Sequence, residues 1–150
     1  MSYHYKESGL DNIYLENGYA IHKTPYGKGV SIHDTEGLHK TIGRWLIDTP
    51  HPLDGRTLRF IRREMELTQG ALASLIGATE QTLRLWEKHR AKAIPGSADR
   101  LLRAIYAEYL GGDESVSALV ARLVELDQQE IRKIRLVEDE DRGWKVQNAA

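Results

Sequence analysis

The segment from residue 67 to residue 90 constrains the fold most strongly, because its apolar residues recur at three- and four-residue steps. The recurring positions form two sets, Leu72, Ala73, Leu75 and Ile76 before Gly77, then Leu83 and Trp86 after it. Such steps place each set on one face of a helix. Gly77 can adopt the turn conformation between them, and Ala73 is small where the helices would touch. We therefore predict two short helices that cross steeply at a tight turn.

The second predicted helix has its own start signal and a polar outer surface. Thr79 is a suitable N-cap, and Glu80 follows it at the positive end of the helix dipole. The outward positions are Glu80, Gln81, Arg84, Leu85 and Lys88. We interpret the segment as a helix–turn–helix. An ordinary helical hairpin is the alternative, since small residues occur at the crossings of many helical bundles.

A longer pattern connects these positions: Gln69, Ala73, Gly77, Leu83 and the run Trp86-Glu87-Lys88. It resembles the Cro/repressor (Xre-type) family of DNA-binding domains, in which Gln opens the first helix of the motif and W-E-K/R-G closes the recognition helix. His89 stands where that family usually has glycine. The resemblance implies a helical bundle that binds double-stranded DNA.

A narrower resemblance covers residues 53–111. The runs 53–88 and 94–109 look like the C-terminal domain of MqsA/YgiT-type regulators, many of which are antitoxins encoded beside a toxin. That family usually begins with a zinc-binding domain built on two pairs of cysteines, and this chain contains no cysteine. The resemblance implies an alternative function, an antitoxin-type protein-interaction module that binds a partner toxin and autoregulates its operon.

Charge is distributed unevenly along the chain. The formal net charge is -1, which argues against a histone-like nonspecific binder. Residues 56–103 nevertheless contain ten Arg and Lys against five Asp and Glu, whereas residues 113–141 contain nine acids against four bases. A basic module beside an acidic one is typical of a selective nucleic-acid binder. A solvated helical surface is the alternative explanation.

Other features exclude several classes of function. The absence of cysteine excludes disulfides and thiolate metal sites and suits a cytoplasmic protein. No apolar run reaches membrane length, and the polar N-terminus predicts no signal peptide. The six histidines and the scattered serines and carboxylates form no recognisable metal-binding or catalytic pattern. We therefore expect no membrane association, no metal, no cofactor and no enzymatic activity.

Residues 1–52 are expected to form a small β-containing unit. Asn17-Gly18 is a strong hairpin signal between the apolar runs 13–15 and 19–21, and a third strand is expected at 30–32. Asp34 or Thr35 then caps a helix whose expected buried face comprises Leu38, Ile42, Trp45 and Leu46. Such a unit is too small to be stable alone, so it should pack on the rest of the chain or on a partner.

Residues 53–111 are expected to form the helix–turn–helix domain, with four helices. Asp54 is the predicted cap of a helix over 55–65, and Ser97 is the predicted cap of the last helix. The residues expected to be buried in these two helices are Leu58, Phe60, Ile61, Met65, Leu101, Leu102, Ile105, Tyr106 and Tyr109. The predicted fold class is mainly α with a small β-containing N-terminal unit (α+β), organised around an Xre-like helix–turn–helix bundle.

Residues 112–150 are expected to add an acidic C-terminal segment. A helix over 115–127 carries an apolar stripe that either closes the core or pairs with a second copy. Leu119 and Leu123 are its predicted dimer contacts. A last hairpin is expected to pair 134–136 with 144–146, and a continued helix is the competing interpretation.

The combined features predict a sequence-specific DNA-binding transcriptional regulator, a repressor that acts as a homodimer. Gln81 can contact adenine, Arg84 can contact guanine or phosphate, and Leu85 can touch a thymine methyl group. The residues expected to contact bases are Glu80, Gln81, Arg84 and Leu85. The residues expected to contact phosphates are Thr68, Gln69, Thr79, Lys88, Arg90 and Lys92.

Overall fold

The computed structural model describes residues 2–111 and 135–146 of the chain. Over these ranges the fold is mixed α+β, with five α-helices and three two-stranded antiparallel sheets. The predicted α+β class is confirmed at this level. Among the described helices, none is both long enough and apolar enough to cross a membrane.

Two antiparallel sheets form near the N-terminus. β1 (Tyr3–His4) pairs with β2 (Tyr14–Leu15), and a short 3-10 turn lies between them. β3 (Tyr19–Thr24) pairs with β4 (Gly27–Ile32) in continuous register along both strands. Pro25-Tyr26 is the two-residue loop that joins β3 to β4.

The hairpin predicted around Asn17-Gly18 is wrong, because the runs 13–15 and 19–21 pair with other strands. Gly18 does adopt a left-handed φ of 78°, as its turn signal predicts. Its carbonyl accepts a hydrogen bond from the His33 amide (2.8 Å) and so closes the base of the β3–β4 hairpin. The strand predicted at 30–32 is confirmed as the end of β4.

α1 (Thr35–Asp48) begins as the sequence predicts, since the Asp34 carboxylate accepts a hydrogen bond from the Gly37 amide (3.1 Å). Its buried face differs from the prediction, because Trp45 is 50% exposed. Gly43 is buried in its place, and the ring of Tyr106 lies directly against it. The buried residues of this helix are Ile42, Gly43, Leu46 and Ile47.

The remaining described helices are α2 (Gly55–Glu64), α3 (Gln69–Ile76), α4 (Glu80–Lys88) and α5 (Gly96–Leu110). Asp54 and Thr79 cap α2 and α4 as predicted. The predicted cap of α5 is wrong, because Pro95 rather than Ser97 occupies its N-cap position. Leu101 in α5 is 41% exposed, so its predicted burial is wrong as well.

One hydrophobic core includes residues from both 1–52 and 53–111. The N-terminal unit therefore packs on the helices of the same chain, as expected for a unit of its size. The boundary between 52 and 53 stays a prediction. Core residues with no more than 2% exposure include Leu10, Leu53, Leu58, Ile61, Leu72, Leu83, Leu102 and Tyr106.

A polar network fixes α1 to α2 beside this core. The Nδ1 atom of His39 lies 3.2 Å from Oε2 of Glu64, and its Nε2 lies 2.7 Å from the Tyr5 hydroxyl. An ionised carboxylate can only accept, so Nδ1 of His39 donates to Glu64, while its Nε2 shares a hydrogen bond with the Tyr5 hydroxyl. The Tyr109 hydroxyl donates to the Glu64 backbone carbonyl (3.1 Å) and extends the network to α5.

Arg103 fixes the linker that follows α1. Its Nε donates to the Asp99 carboxylate (2.6 Å), and its Nη1 donates to the carbonyls of Ile47 (3.0 Å) and Thr49 (2.7 Å). Asp99 in turn accepts from the Leu53 amide (2.7 Å). This ion pair therefore satisfies polar backbone atoms at both ends of the linker.

β5 (Leu136–Asp139) and β6 (Gly143–Val146) form an antiparallel hairpin, so a hairpin in this segment is confirmed. Its pairing is shifted from the prediction, because Trp144 lies opposite Glu138 rather than opposite a residue of 134–136. The predicted helix over 115–127 lies outside the described residues. Its two predicted dimer contacts, Leu119 and Leu123, lie outside them too.

We predict that Gly43→Ala destabilises the protein by about 1–3 kcal/mol, because the added methyl group would overlap the buried ring of Tyr106. Gly96→Ala is the matched control, since a Cβ there meets open space. Urea denaturation of both variants measures the free energy of unfolding. Equal stability of the two variants would contradict the tight α1–α5 contact.

Candidate nucleic-acid interface

α3 and α4 meet at a tight turn that starts at Gly77, whose φ of 73° is left-handed. Leu72 and Leu83 are fully buried and hold the two helices on the core. Thr68 and Thr79 cap the helices, and each hydroxyl accepts a hydrogen bond from the amide three residues later at 3.1 Å. The predicted pair of short helices is therefore confirmed.

The N-terminus of α2 holds the chain where it leaves α4. The amides of Gly55 and Arg56 donate to the carbonyls of Lys92 (3.3 Å) and Arg90 (3.1 Å). These bonds satisfy two of the amides that a helix leaves unpaired at its start. A Cβ at Gly55 would overlap the carbonyl oxygen of Trp86, so glycine is required for this approach. Both α4 and the segment after it are thus anchored to α2.

A buried ion pair joins α2 to α4. Arg62 donates to both oxygens of Glu87, through Nε at 2.7 Å and through Nη2 at 2.9 Å. Its Nη1 donates to the Leu67 carbonyl (3.0 Å), and the side-chain amide of Gln69 donates to the Glu87 carboxylate through Nε2 (3.3 Å). Bidentate pairing with these extra hydrogen bonds offsets the cost of removing two charges from water. The pair fixes α2, α3 and α4 relative to one another.

A second, exposed network lies next to this pair. Arg84 donates through Nη2 to Glu80 (3.1 Å) and approaches the Gln69 side-chain oxygen through Nε (3.5 Å). The Glu80 carboxylate also lies over Gly70 in the first turn of α3. Negative charge is favourable near a helix start, so this position suits the Glu80 carboxylate.

The structure places all four predicted base-contacting residues on the exposed surface of α4, and Leu85 is 46% exposed. Among the predicted phosphate contacts, Gln69 is half-buried and already bonded within the protein, and Arg90 donates to the Gly9 carbonyl (3.3 Å). The other predicted phosphate contacts are all exposed, namely Thr68, Thr79, Lys88 and Lys92. Contact with DNA stays a prediction for each of these residues.

An open depression lies between α2 and α4 and is basic overall. It is lined by Arg59, Arg62, Gln69, Arg84, Glu87 and Lys88. Arg62 and Glu87 neutralise each other, whereas Arg59 and Lys88 have no ion-pair partner among the described residues. Sequence reasoning did not assign Arg59 to the site. Its three-residue spacing from Arg62 places both on one face of α2, but only the fold shows that this face meets α4.

Comparisons of the chain with protein-family models, with curated proteins and with solved structures give no match. Within residues 2–111 and 135–146, no three His, Asp or Glu side chains gather in a way that could hold a metal ion. The candidate interface is therefore defined by its geometry and charge and by the sequence pattern of α3 and α4.

We predict that Glu87→Gln costs about 3 kcal/mol or more of folding free energy, because it leaves Arg62 buried without a charged partner. Glu80→Gln, which removes a charge from an exposed pair in the same helix, should cost at most about 1 kcal/mol. Chemical denaturation followed by circular dichroism compares the two variants. If they lose the same stability, the buried pair does not fix these helices.

Proposed function

We propose that the protein is a sequence-specific DNA-binding transcriptional regulator, a repressor that acts as a homodimer through an Xre-like helix–turn–helix formed by α3 and α4. One observation carries this proposal. α4 presents polar and cationic side chains outward while its other side is fixed by the buried Glu87 and by the start of α2. A rigid helix with a free polar face is what reading a base sequence requires.

In the proposed complex α4 enters the major groove. A helix with side chains is about 10–12 Å across, and the groove is about 12 Å wide. Gln81 would form two hydrogen bonds with adenine, and Arg84 would bind guanine. Glu80 would accept from the cytosine amino group, and Leu85 would pack on a thymine methyl group. To bind guanine, Arg84 would first break its exposed ion pair with Glu80, which costs little because such a pair is weak.

Phosphate contacts are proposed at both ends of α4. At one end, Thr79 lies at the start of α4, and Thr68 lies at the start of the neighbouring α3, where amides and hydroxyls favour an anion. The other end of α4 carries Lys88, and the segment that follows it carries Arg90 and Lys92. Hydrogen bonds from the first amides of α2 hold this segment in place. Contacts on either side of the reading helix would set its position and angle in the groove. A homodimer would then place two such helices on half-sites about one DNA turn apart.

Replacement of Gln81 tests base reading. Gln81→Ala should cost about 1–3 kcal/mol at one base pair and relax the preference there. Selection and sequencing of randomised DNA would compare the variant with the wild type and with Arg100→Ala, an exposed change on α5. An unchanged consensus for Gln81→Ala would show that Gln81 reads no base. Failure of the wild type to select any sequence would contradict the proposed function.

Replacement of Lys88 tests the electrostatic part of the proposal. Lys88→Ala should weaken binding to all sequences alike and lower the slope of log affinity against log salt by about 1. Lys40→Ala on α1 is the matched control, because Lys40 is also exposed and is paired with Glu36. Fluorescence anisotropy at several salt concentrations measures the slopes. A wild-type affinity that does not change with salt would rule out the phosphate contacts.

The apolar surface of the β5–β6 hairpin favours a second candidate function, an antitoxin-type module that binds a toxin protein. Leu136 and Val146 pair directly and are 58% and 60% exposed, and Trp144 on the same face is 69% exposed. Exposed apolar patches of this kind mark protein contacts. Co-expression with the product of the neighbouring reading frame tests this function. A complex that Trp144→Ser abolishes would support it, and no complex would contradict it.

A further inference from the structure

The β3–β4 hairpin projects from the body of the protein with little contact to the core. Among the described residues, its contacts with the core lie at its base, where Tyr19 and Ile32 pack against core residues. Beyond the base, Ile21 is 53% exposed and Tyr26 at the tip is fully exposed. A two-stranded hairpin is at best marginally stable by itself. Its length therefore exceeds what packing of the N-terminal unit needs.

The tip of this hairpin concentrates positive charge. Lys23 and Lys28 lie directly opposite each other in the register, so both side chains are on the same face. Like charges in this position are destabilising, and neither lysine has an ion pair with a described residue. Residues 17–33 contain no Asp or Glu at all. The two lysines therefore form a cationic pair that no acid in the hairpin neutralises and that does not stabilise the hairpin itself.

A chain of contacts connects the base of the hairpin to the segment that follows α4. The Tyr3 and Tyr19 rings are 5.4 Å apart, which ties β3 to β1. The loop between β1 and β2 is bound to the helical part of the chain, because Asp11 pairs with Arg56 and the Gly9 carbonyl accepts from Arg90. Arg90 lies two residues after the end of α4 and is itself a proposed phosphate contact.

We propose that the hairpin tip, formed by Lys23, Tyr26 and Lys28, is a second contact with DNA. It would bind the phosphate backbone of the duplex flanking the bases that α4 reads, and it therefore rests on the proposed function. Ammonium groups bind phosphates without regard to sequence, and the Tyr26 hydroxyl can donate to a phosphate oxygen. The ligand is double-stranded DNA, because the lysines of the tip complement a polyanion and the contacts above connect the hairpin to Arg90, a proposed phosphate contact.

Neutralising two phosphates gives a defined electrostatic effect. Each phosphate contact contributes about 0.9 to the salt slope on double-stranded DNA, so loss of both lysines should lower the slope by about 2. Sequence preference should stay unchanged, because the tip contacts no base. On duplexes shortened to the selected site, which lack the flanking phosphates, the hairpin should contribute nothing to the affinity.

The test compares Lys23→Gln/Lys28→Gln with the wild type by fluorescence anisotropy on the selected site, with and without flanking base pairs. On the long duplex we expect the double variant to bind about tenfold more weakly with the smaller slope. On the trimmed duplex we expect equal affinities. Lys6→Gln/Lys40→Gln is the control for a loss of two exposed charges, and circular dichroism verifies the fold of each variant.

Three results would overturn this contact by itself, and a fourth would overturn it together with the proposed function. Equal affinity of the double variant and the wild type on the long duplex would exclude the contact while leaving Gln81-dependent selection, and so the proposed function, intact. Equal weakening on both duplexes would exclude a flanking position. Lysine-dependent binding to phosphatidylserine vesicles without an effect on DNA would assign the tip to a lipid surface. If the wild type selects no DNA sequence at all, the proposed function and this contact fail together.

Discussion

The buried pair of Arg62 and Glu87 is the interaction on which the arrangement of α2, α3 and α4 depends. Apolar contact alone is non-directional and would allow these short helices to slide or rotate. A bidentate ion pair has one good geometry, and the added bonds from Gln69 and to the Leu67 carbonyl leave little freedom around it. An error in packing would leave a charge buried without a partner, which costs several kcal/mol. The pair therefore selects one orientation for α4.

Backbone contacts complete what the ion pair begins. The amides of Gly55 and Arg56 hold the carbonyls of Lys92 and Arg90, so the chain after α4 has a fixed path. The core residues of α4 and Glu87 lie on its inner side, and the outward side chains make weak, exposed contacts, the Glu80–Arg84 pair and the approach of Arg84 to Gln69. Binding would therefore require little reorganisation of α4, and less of the interaction energy would be lost in ordering it.

Local signals in the sequence predicted much of this fold, and contacts between distant residues account for the errors. The helices α2, α3 and α4 begin at caps that short-range patterns identify, such as Asp54 and Thr79. The pairing of β1 with β2 and the burial of Gly43 in place of Trp45 depend on partners far along the chain. The same holds for the site: the α4 surface follows from helical spacing, but the role of Arg62 depends on Glu87, which is 25 residues away.

Ion pairing also explains how a chain with a formal charge of -1 can carry a local positive field. Four of the ten basic residues in 56–103 pair with acids, and three of the four are half-buried, namely Arg56, Arg62 and Arg103. The cations without acid partners among the described residues include Arg59, Lys88, Arg90 and Lys92, and these lie beside α4 or at its exit. Fields from such clusters act over about 8–10 Å at physiological salt, whereas acids elsewhere are screened. The position of the unpaired cations, rather than the net charge, therefore determines which surface attracts a polyanion.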